Sequence, residues 1–462
     1  MNIVLVSLHG LVRGDRLEIG RDADNGGQIV YVMELARALA ALPEVDRVHL
    51  FTRLVDDPRL DRDYAVPYEA VHPKVDIRRI RFGGPRYLPK EALWPHLGEF
   101  VANALDHIAR EQLRPDWIHS HYADAGLAAA QLARTLDVPF VHTAHSLGRR
   151  KLETLLASGM GRDEAFQRYR FAERIRAEDT ALSGAALVVC STTQEIESWA
   201  DYPGASAARY AVLPPGVDLR RFAPHGEPPP SEQRARAAEQ VERELARFLR
   251  RPDLPLILAV ARPDRKKNLR GLVEAYGRNR QLRAAANLAI FAGVRGDIAA
   301  LPPGEREVIH ELLVLCDQLD LYGKLALPKR HDPANEVPEL YRLAARRRGL
   351  FINVALTEPF GLTLLEAAAS GLPVVATDRG GPTEIVATLH NGLVVSPTDR
   401  GAIAAAMRAL LGDGRRWDDA SASGIRNLRG RYDWNGHAVR YLEAVRARPQ
   451  EASRCDPARW AA

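Results

Sequence analysis

The chain has 462 residues, 46% hydrophobic and 27% charged, with a formal net charge of +5. That length favours two domains over one core, and the composition is globular rather than low-complexity. The charge excess is small, no basic run is interleaved with aromatics, and no stretch reaches the roughly 18 apolar residues of a membrane helix, so neither nucleic acid nor membrane is an expected partner.

The opening "MNIVLVSLHG" has no basic start and no small-residue cleavage site, so it reads as a first strand rather than a leader. Cys190, Cys316 and Cys455 are far apart and lack metal-like spacing, which points to a reducing, cytoplasmic setting.

Next comes "RDADNGGQIVYVMELARALA". A calcium loop from Asp22 would put Gly26 at a ligand position and Met33 at the twelfth, where a bidentate Glu is needed; from Asp24, Glu34 falls one place early. A phosphate cradle fits better. Gly26 and Gly27 let backbone amides approach an anion, and a helix starting near Gln28 adds its positive end. A plain strand-to-helix turn remains open, and no Walker Lys-Ser/Thr follows.

"RVHLFTRL", "WIHSHY", "PFVHTAHS", "ALVVCST" and "YAVLPPGVD" read as further strands separated by amphipathic helices, the pattern of a doubly wound parallel sheet. The Pro run and charged helix in "HGEPPPSEQRARAAEQVERELARFLRR" mark the boundary. A second series follows: "LPLILAVARPD", "NLAIFAGV", "LALPKR", "GLFINVAL", "LPVVATD" and "NGLVVSP". The expected fold is α/β with two Rossmann-like domains, residues 1–225 and 226–435, and a cleft between them. Residues 436–462 form a helix and a polar tail returning to the first domain. Ligands should bind beyond the carboxyl ends of the strands.

Four histidines, His119, His121, His142 and His145, sit at strand ends. They have neither HExxH spacing nor cysteine partners, so no metal is assigned; they are read as lining the cleft, some on substrate hydroxyls and others packed. "ARPDRKKNL" places Arg262 and Lys267 after a strand, where a fork of donors and a point charge suit a diphosphate. In "TEPFGLTLLEAAASGLPVVATDRGGP", Glu358 and Glu366 are eight apart and share a helix side if one helix includes both. A glycine turn, a helix start and a later Gly pair make this the strongest signal in the chain. Lys90, Lys151 and Arg174 show no partner pattern and read singly as surface charges.

"SLHGLVRGDRLEIGRDADNGGQIVYVMELARALA", "HSLGRRKLETLL", "RPDRKKNLRGLVEAYG", "LYGKLALPKRH" and the segment around "TEPFGLTLLEAAASGLP" together resemble the sucrose-phosphate synthases, in order, from Met1 to about Thr398. The resemblance implies a GT-B fold and a retaining transfer of glucose from UDP-glucose to fructose 6-phosphate, giving sucrose 6-phosphate and UDP. It implies that Arg262 and Lys267 hold the diphosphate, and that Glu358 faces the glucose and Glu366 the ribose. Phe360, Gly361, Leu362 and Thr363 would meet the donor, Pro328 and Lys329 would border the uracil, and His145 would lie near the reacting centre. Gly27 and Gln28 would lie between donor and acceptor. Lys90, Tyr122, Lys151 and Arg174 would serve the acceptor, the last two at its phosphate.

The resemblance also implies no required cofactor, with magnesium a stimulant at most. The two halves would close over the substrates and exclude water. No DxDx[TV] phosphatase signature is present, so a separate sucrose-phosphate phosphatase is expected. Asn25, Ala144 and Arg150 depart from the usual Thr, Gly and Asn beside the acceptor. The alternatives are a sucrose synthase using free fructose, a transferase using ADP-glucose or GDP-mannose, an epimerase of the same architecture, and a non-catalytic sensor.

Overall fold

A computed structural model of the chain describes residues 1–18, 21–22, 24–157, 159–227, 231–293 and 296–447. The polar tail with Cys455, Ala23 of the glycine loop and the Pro run at 228–230 lie outside them. The chain divides into residues 1–214 together with the segment from Trp434, and Pro215–Asp433.

The first unit carries β1 (Asn2–Val6), β2 (Arg47–Arg53), β3 (Tyr68–His72), β4 (Val75–Ile80), β5 (Trp117–His121), β6 (Phe140–Thr143), β7 (Leu187–Cys190) and β8 (Tyr210–Val212). They form one sheet in the order β3-β4-β2-β1-β5-β6-β7-β8. Among the described residues only the β3–β4 pair of this sheet is antiparallel. Ile3, Val4, Leu5 and Val6 are all fully buried, as expected of a parallel strand covered on both faces.

The β3–β4 hairpin is absent from the sequence reading because "VDIRRI" looks polar. Its charges are satisfied internally. Asp76 lies 2.9 Å from His49 Nδ1 and accepts from Arg78 Nε at 2.8 Å, while Arg79 donates to the carbonyls of Val66 and Val12, both at 2.9 Å.

The helix Trp434–Arg446 packs within the first unit. The Tyr31 hydroxyl lies 3.3 Å from His437 Nε2, and Trp117 Nε1 donates to the Tyr441 hydroxyl at 3.2 Å.

The second unit carries β9 (Leu256–Val260), β10 (Asn287–Phe291), β11 (Leu325–Ala326), β12 (Leu350–Asn353), β13 (Val374–Thr377) and β14 (Gly392–Val395). The order β11-β10-β9-β12-β13-β14 is that of a six-stranded dinucleotide-type sheet, parallel throughout. The unit begins earlier than the Pro-rich signal suggests. Val217 N donates to Tyr432 O at 2.8 Å, Phe222 joins the second unit's core, and the helix Glu232–Ala246 adds Val241 and Leu245 to that core rather than acting as a linker.

Both sheets reverse their strand order, at β1/β5 in the first and β9/β12 in the second. Loops leaving the carboxyl ends of strands at such a point are where open α/β sheets bind ligands. Those loops carry "DADNGGQ" and "HYADAG" in the first unit, and "RPDRKK" and "TEPFG" in the second.

Candidate active site

In the second unit, Lys267 ends the short 3-10 turn Arg265–Lys267 after β9, capped by Asp264, whose side chain accepts from Lys266 N. Asn268 follows in a left-handed conformation (φ 53°) and donates to Val354 O at 3.0 Å and Pro397 O at 2.7 Å, tying this turn to the loop after β12. Lys267 Nζ thereby reaches Glu358 Oε2 at 2.6 Å, and Asn353 Nδ2, at the end of β12, donates to the same oxygen at 3.1 Å. Arg262 is exposed and makes no side-chain hydrogen bond or ion pair among the described residues.

Glu358 does not share a helix with Glu366. The helix Leu362–Ala369 begins after Gly361, which caps it at φ 104°, at the glycine turn the sequence marks, so the condition for a shared helix side is not met. Glu358 is instead held as a bridge to Gly380: its amide donates to Arg379 O at 3.0 Å and its carbonyl accepts from Gly381 N at 3.1 Å. Gly380 sits at φ 109°, and a Cβ there would lie 2.0 Å from Glu358 O, so "RGG" is needed for this close approach.

Gly361, Leu362 and Thr363 open the helix, where first-turn amides have no partner within the helix. Phe360 is half-buried, Pro328 buried and Lys329 exposed. Glu366 is half-buried, and its Oε2 accepts from the Tyr341 hydroxyl at 3.0 Å. Burial pushes its carboxyl up to about 7 against the opposing pull of the Tyr341 hydrogen bond and the Arg221 charge.

In the first unit, the helix Gly27–Ala40 is capped by Gly26, one residue earlier than expected. Gln28 Nε2 donates to Ser7 Oγ at 3.2 Å and His121 O at 3.4 Å, spanning the ends of β1 and β5. Within "DADNGG", Asp22 Oδ1 accepts from the amides of Asp24 (2.8 Å) and Asn25 (3.1 Å), and Asn25 Oδ1 accepts from Leu11 N at 2.8 Å. The loop is thus a self-bonded turn whose carboxylates face protein donors. Lys90 is no isolated surface charge. Its amide donates to Asp24 Oδ2 at 2.9 Å and its ammonium to Asp24 Oδ1. Burial acts against the Asp24 charge, but Lys90 holds the carboxyl below its usual value.

Arg174 is also not a surface charge: it is 3% exposed. Its Nε donates to Glu178 Oε1 at 2.9 Å, and its second arm to Ser146 O at 2.9 Å and Ser146 Oγ at 3.0 Å. Glu178 further accepts from Gly148 N at 2.9 Å and from the Tyr202 hydroxyl. Arg174 stacks over the Tyr122 ring at 4.7 Å, and His9, 2.9 Å from Asp124, meets that ring edge-on at 4.6 Å. Lys151, on the helix Gly148–Ala157, lies 4.1 Å above Tyr169.

The histidines are mostly packed rather than lining a cleft. His119, His121 and His142 are fully buried. His119 Nε2 lies 2.9 Å from Thr143 Oγ1, His142 Nδ1 2.9 Å from Ser120 Oγ, and His121 Nδ1 3.1 Å from His145 Nε2. Only His145 is half-buried, at φ 59°. Burial drives His142 and His145 down to about 3, so both are neutral at pH 7. Among the described residues no group of three or more His, Cys, Asp or Glu is disposed to hold a metal ion, and no helix is long and apolar enough to cross a membrane.

Sequence reasoning missed Asn353, Tyr341, Asp24 and Glu178, each of which holds a candidate residue. Asp24 alone carried a signal, being part of the quoted loop.

Two α/β units of this topology have the GT-B architecture. Residues 240–426 match the family described as Glycosyl transferases group 1, and residues 25–221 match Glycosyltransferase Family 4. Each half of the chain thus matches a glycosyltransferase family model, and the fold is GT-B.

Within that class the chain is similar to the sucrose-phosphate synthases. It is 42% identical over 493 residues to "Probable sucrose-phosphate synthase 2" of Arabidopsis thaliana, covering 96% of this chain and 47% of the relative. It is 44% identical over 503 residues to the "Sucrose-phosphate synthase" of Zea mays, with the same two shares. The chain therefore spans about half the length of the curated relatives it matches. A solved sucrose-phosphate synthase from Thermosynechococcus elongatus superposes with a TM-score of 0.74 at 26% identity, covering 96% of this chain and 98% of that one.

Proposed function

We propose that the protein transfers glucose, with retention, from UDP-glucose to fructose 6-phosphate, giving sucrose 6-phosphate and UDP. The observation that carries this is the Lys267–Glu358 pair at the β9/β12 switch point, beside the glycine-capped helix Leu362–Ala369. Similarity to sucrose-phosphate synthases over 96% of the chain supports the choice of substrates.

In this reading Lys267 and Arg262 neutralise the departing diphosphate as positive charge develops on the sugar, and the amides of Gly361 to Thr363 add partial positive charge. Glu358 holds a glucose hydroxyl and Glu366 the ribose. Phe360 packs beside the donor, and Pro328 and Lys329 border the uracil. Neutral His145 contacts the glucose, and Gly27 and Gln28 contact the donor and the acceptor. No carboxylate is assigned as a nucleophile. The acceptor attacks from the side the diphosphate leaves, and a phosphate oxygen takes the acceptor proton.

Lys90, Tyr122, Lys151 and Arg174 serve the acceptor. Lys151 and Arg174 meet the acceptor phosphate, and Arg174 also fixes Tyr122 and Ser146 beside it.

The test is UDP release from UDP-glucose with fructose 6-phosphate or fructose, in parallel and with chelator present. Release with the phosphorylated sugar alone supports the reading. Equal or faster release with fructose makes this a sucrose synthase and removes the phosphate role of Lys151. No release with UDP-glucose, but release from ADP-glucose or GDP-mannose, overturns the donor assignment.

A further inference from the structure

The Tyr341 ring is fully buried on the helix Glu336–Arg346, between Phe222 at 5.8 Å and Phe351 at 5.4 Å. Among the described residues its hydroxyl makes one hydrogen bond, to Glu366 Oε2 at 3.0 Å. Glu366 Oε1 has no hydrogen bond among the described residues. A carboxylate free to rotate would offer its two oxygens interchangeably. Here one is pinned by a phenol whose ring is held in the core.

We propose that Tyr341 is a positioning residue: its hydroxyl fixes Oε2 of Glu366 and leaves Oε1 aimed to accept hydrogen bonds from the ribose hydroxyls of a nucleoside diphosphate. This rests on the assignment of Glu366 to the donor ribose. Donation from Tyr341 also favours the ionised carboxyl, which alone can accept from both hydroxyls, and it opposes the burial that raises the acid. The Arg221 charge acts in the same direction.

The probes are UDP and its 2′,3′-dideoxy analogue, with dissociation constants measured by calorimetry for wild type, Tyr341→Phe, Glu366→Gln and the double variant. Tyr341→Phe removes only the hydroxyl and keeps the ring, and its thermal midpoint reports whether the fold is intact. Wild type should bind UDP at least about tenfold more tightly than the analogue, since each hydrogen bond to a charged group is worth that much or more.

Tyr341→Phe should lose about tenfold for UDP and almost nothing for the analogue, and the double variant should discriminate no less than Glu366→Gln alone. Equal losses for both ligands would mean the hydroxyl is merely structural and would overturn the proposal. So would full discrimination in Tyr341→Phe when Glu366→Gln has lost it. Failure of wild type to discriminate would overturn the ribose assignment itself, and this proposal with it.

Discussion

Lys267 Nζ stands 2.6 Å from Glu358 Oε2, joining the turn after β9 to the loop after β12, and Asn353 Nδ2 holds the same oxygen at 3.1 Å. Cation and carboxylate therefore satisfy one another. In the proposed reading a diphosphate would compete with Glu358 for the ammonium and free the carboxylate for a sugar hydroxyl.

Replacing Lys267 by Ala should lower kcat by about a hundredfold to a thousandfold, the scale of losing one fixed donor to a developing anion. Steady-state UDP release measures it; rates within threefold of wild type would refute the leaving-group role.

Gly380→Ala should inactivate the enzyme without touching a substrate. The added Cβ would lie 2.0 Å from Glu358 O at φ 109°, so the bridge that carries Glu358 must shift. The expected stability cost is about 1–3 kcal/mol from backbone strain. Activity and urea midpoint together check it, and a fully active variant would mean that the Glu358–Gly380 bridge is dispensable.

Arg174→Ala should destabilise the first unit by about 3–5 kcal/mol, because Glu178 is left buried without its counter-charge. It should also raise KM for fructose 6-phosphate more than for UDP-glucose, since Tyr122 and Ser146 lose their anchor. Chemical denaturation of Arg174→Ala beside the double variant Arg174→Met/Glu178→Gln separates the two effects: the double variant should recover stability and not acceptor affinity.

Stability should depend on pH in two opposed ways. His142 and His145 titrate near 3 in the fold against 6.5 ordinarily, so the unfolded chain binds more protons between those values and stability is lost as pH falls below 6.5. Glu366 and Glu195 titrate near 7 against 4.5, so the folded chain holds their protons and stability declines as pH rises from 4.5 to 7. Histidines dominate on the acid side, since His119 and His121 shift the same way. Denaturation midpoints across this range should rise to about pH 6.5 and flatten or fall beyond it. The Glu366→Gln variant should lose part of the decline, and an unchanged slope would contradict the burial of that carboxyl.

Most strands were legible because parallel strands covered on both faces are unbroken apolar runs, as in "NIVLV" and "LILAV". The β3–β4 hairpin was not, because Asp76, Arg78 and Arg79 hide a buried ladder behind ion pairs that only the fold assembles. The glycine turn that opens the helix was legible in "FGLTLLEAAAS", and because the helix starts after Gly361 the condition for Glu358 and Glu366 to share a helix side is not met. Single charges such as Lys90 and Arg174 gave no hint of Asp24 and Glu178, which meet them through sheet topology and helix packing. In the glycine loop, the carboxylate of Asp24 is the partner of Lys90, a pairing that the loop's own spacing does not announce.

The most direct test of the central claim is carbon NMR of a reaction containing UDP-glucose labelled at the anomeric carbon and fructose 6-phosphate. The account predicts that the label moves to one non-reducing disaccharide phosphate in which it keeps the α configuration, with UDP formed in equal amount. A β-linked product, release of free glucose, or a label that stays on the nucleotide would contradict it.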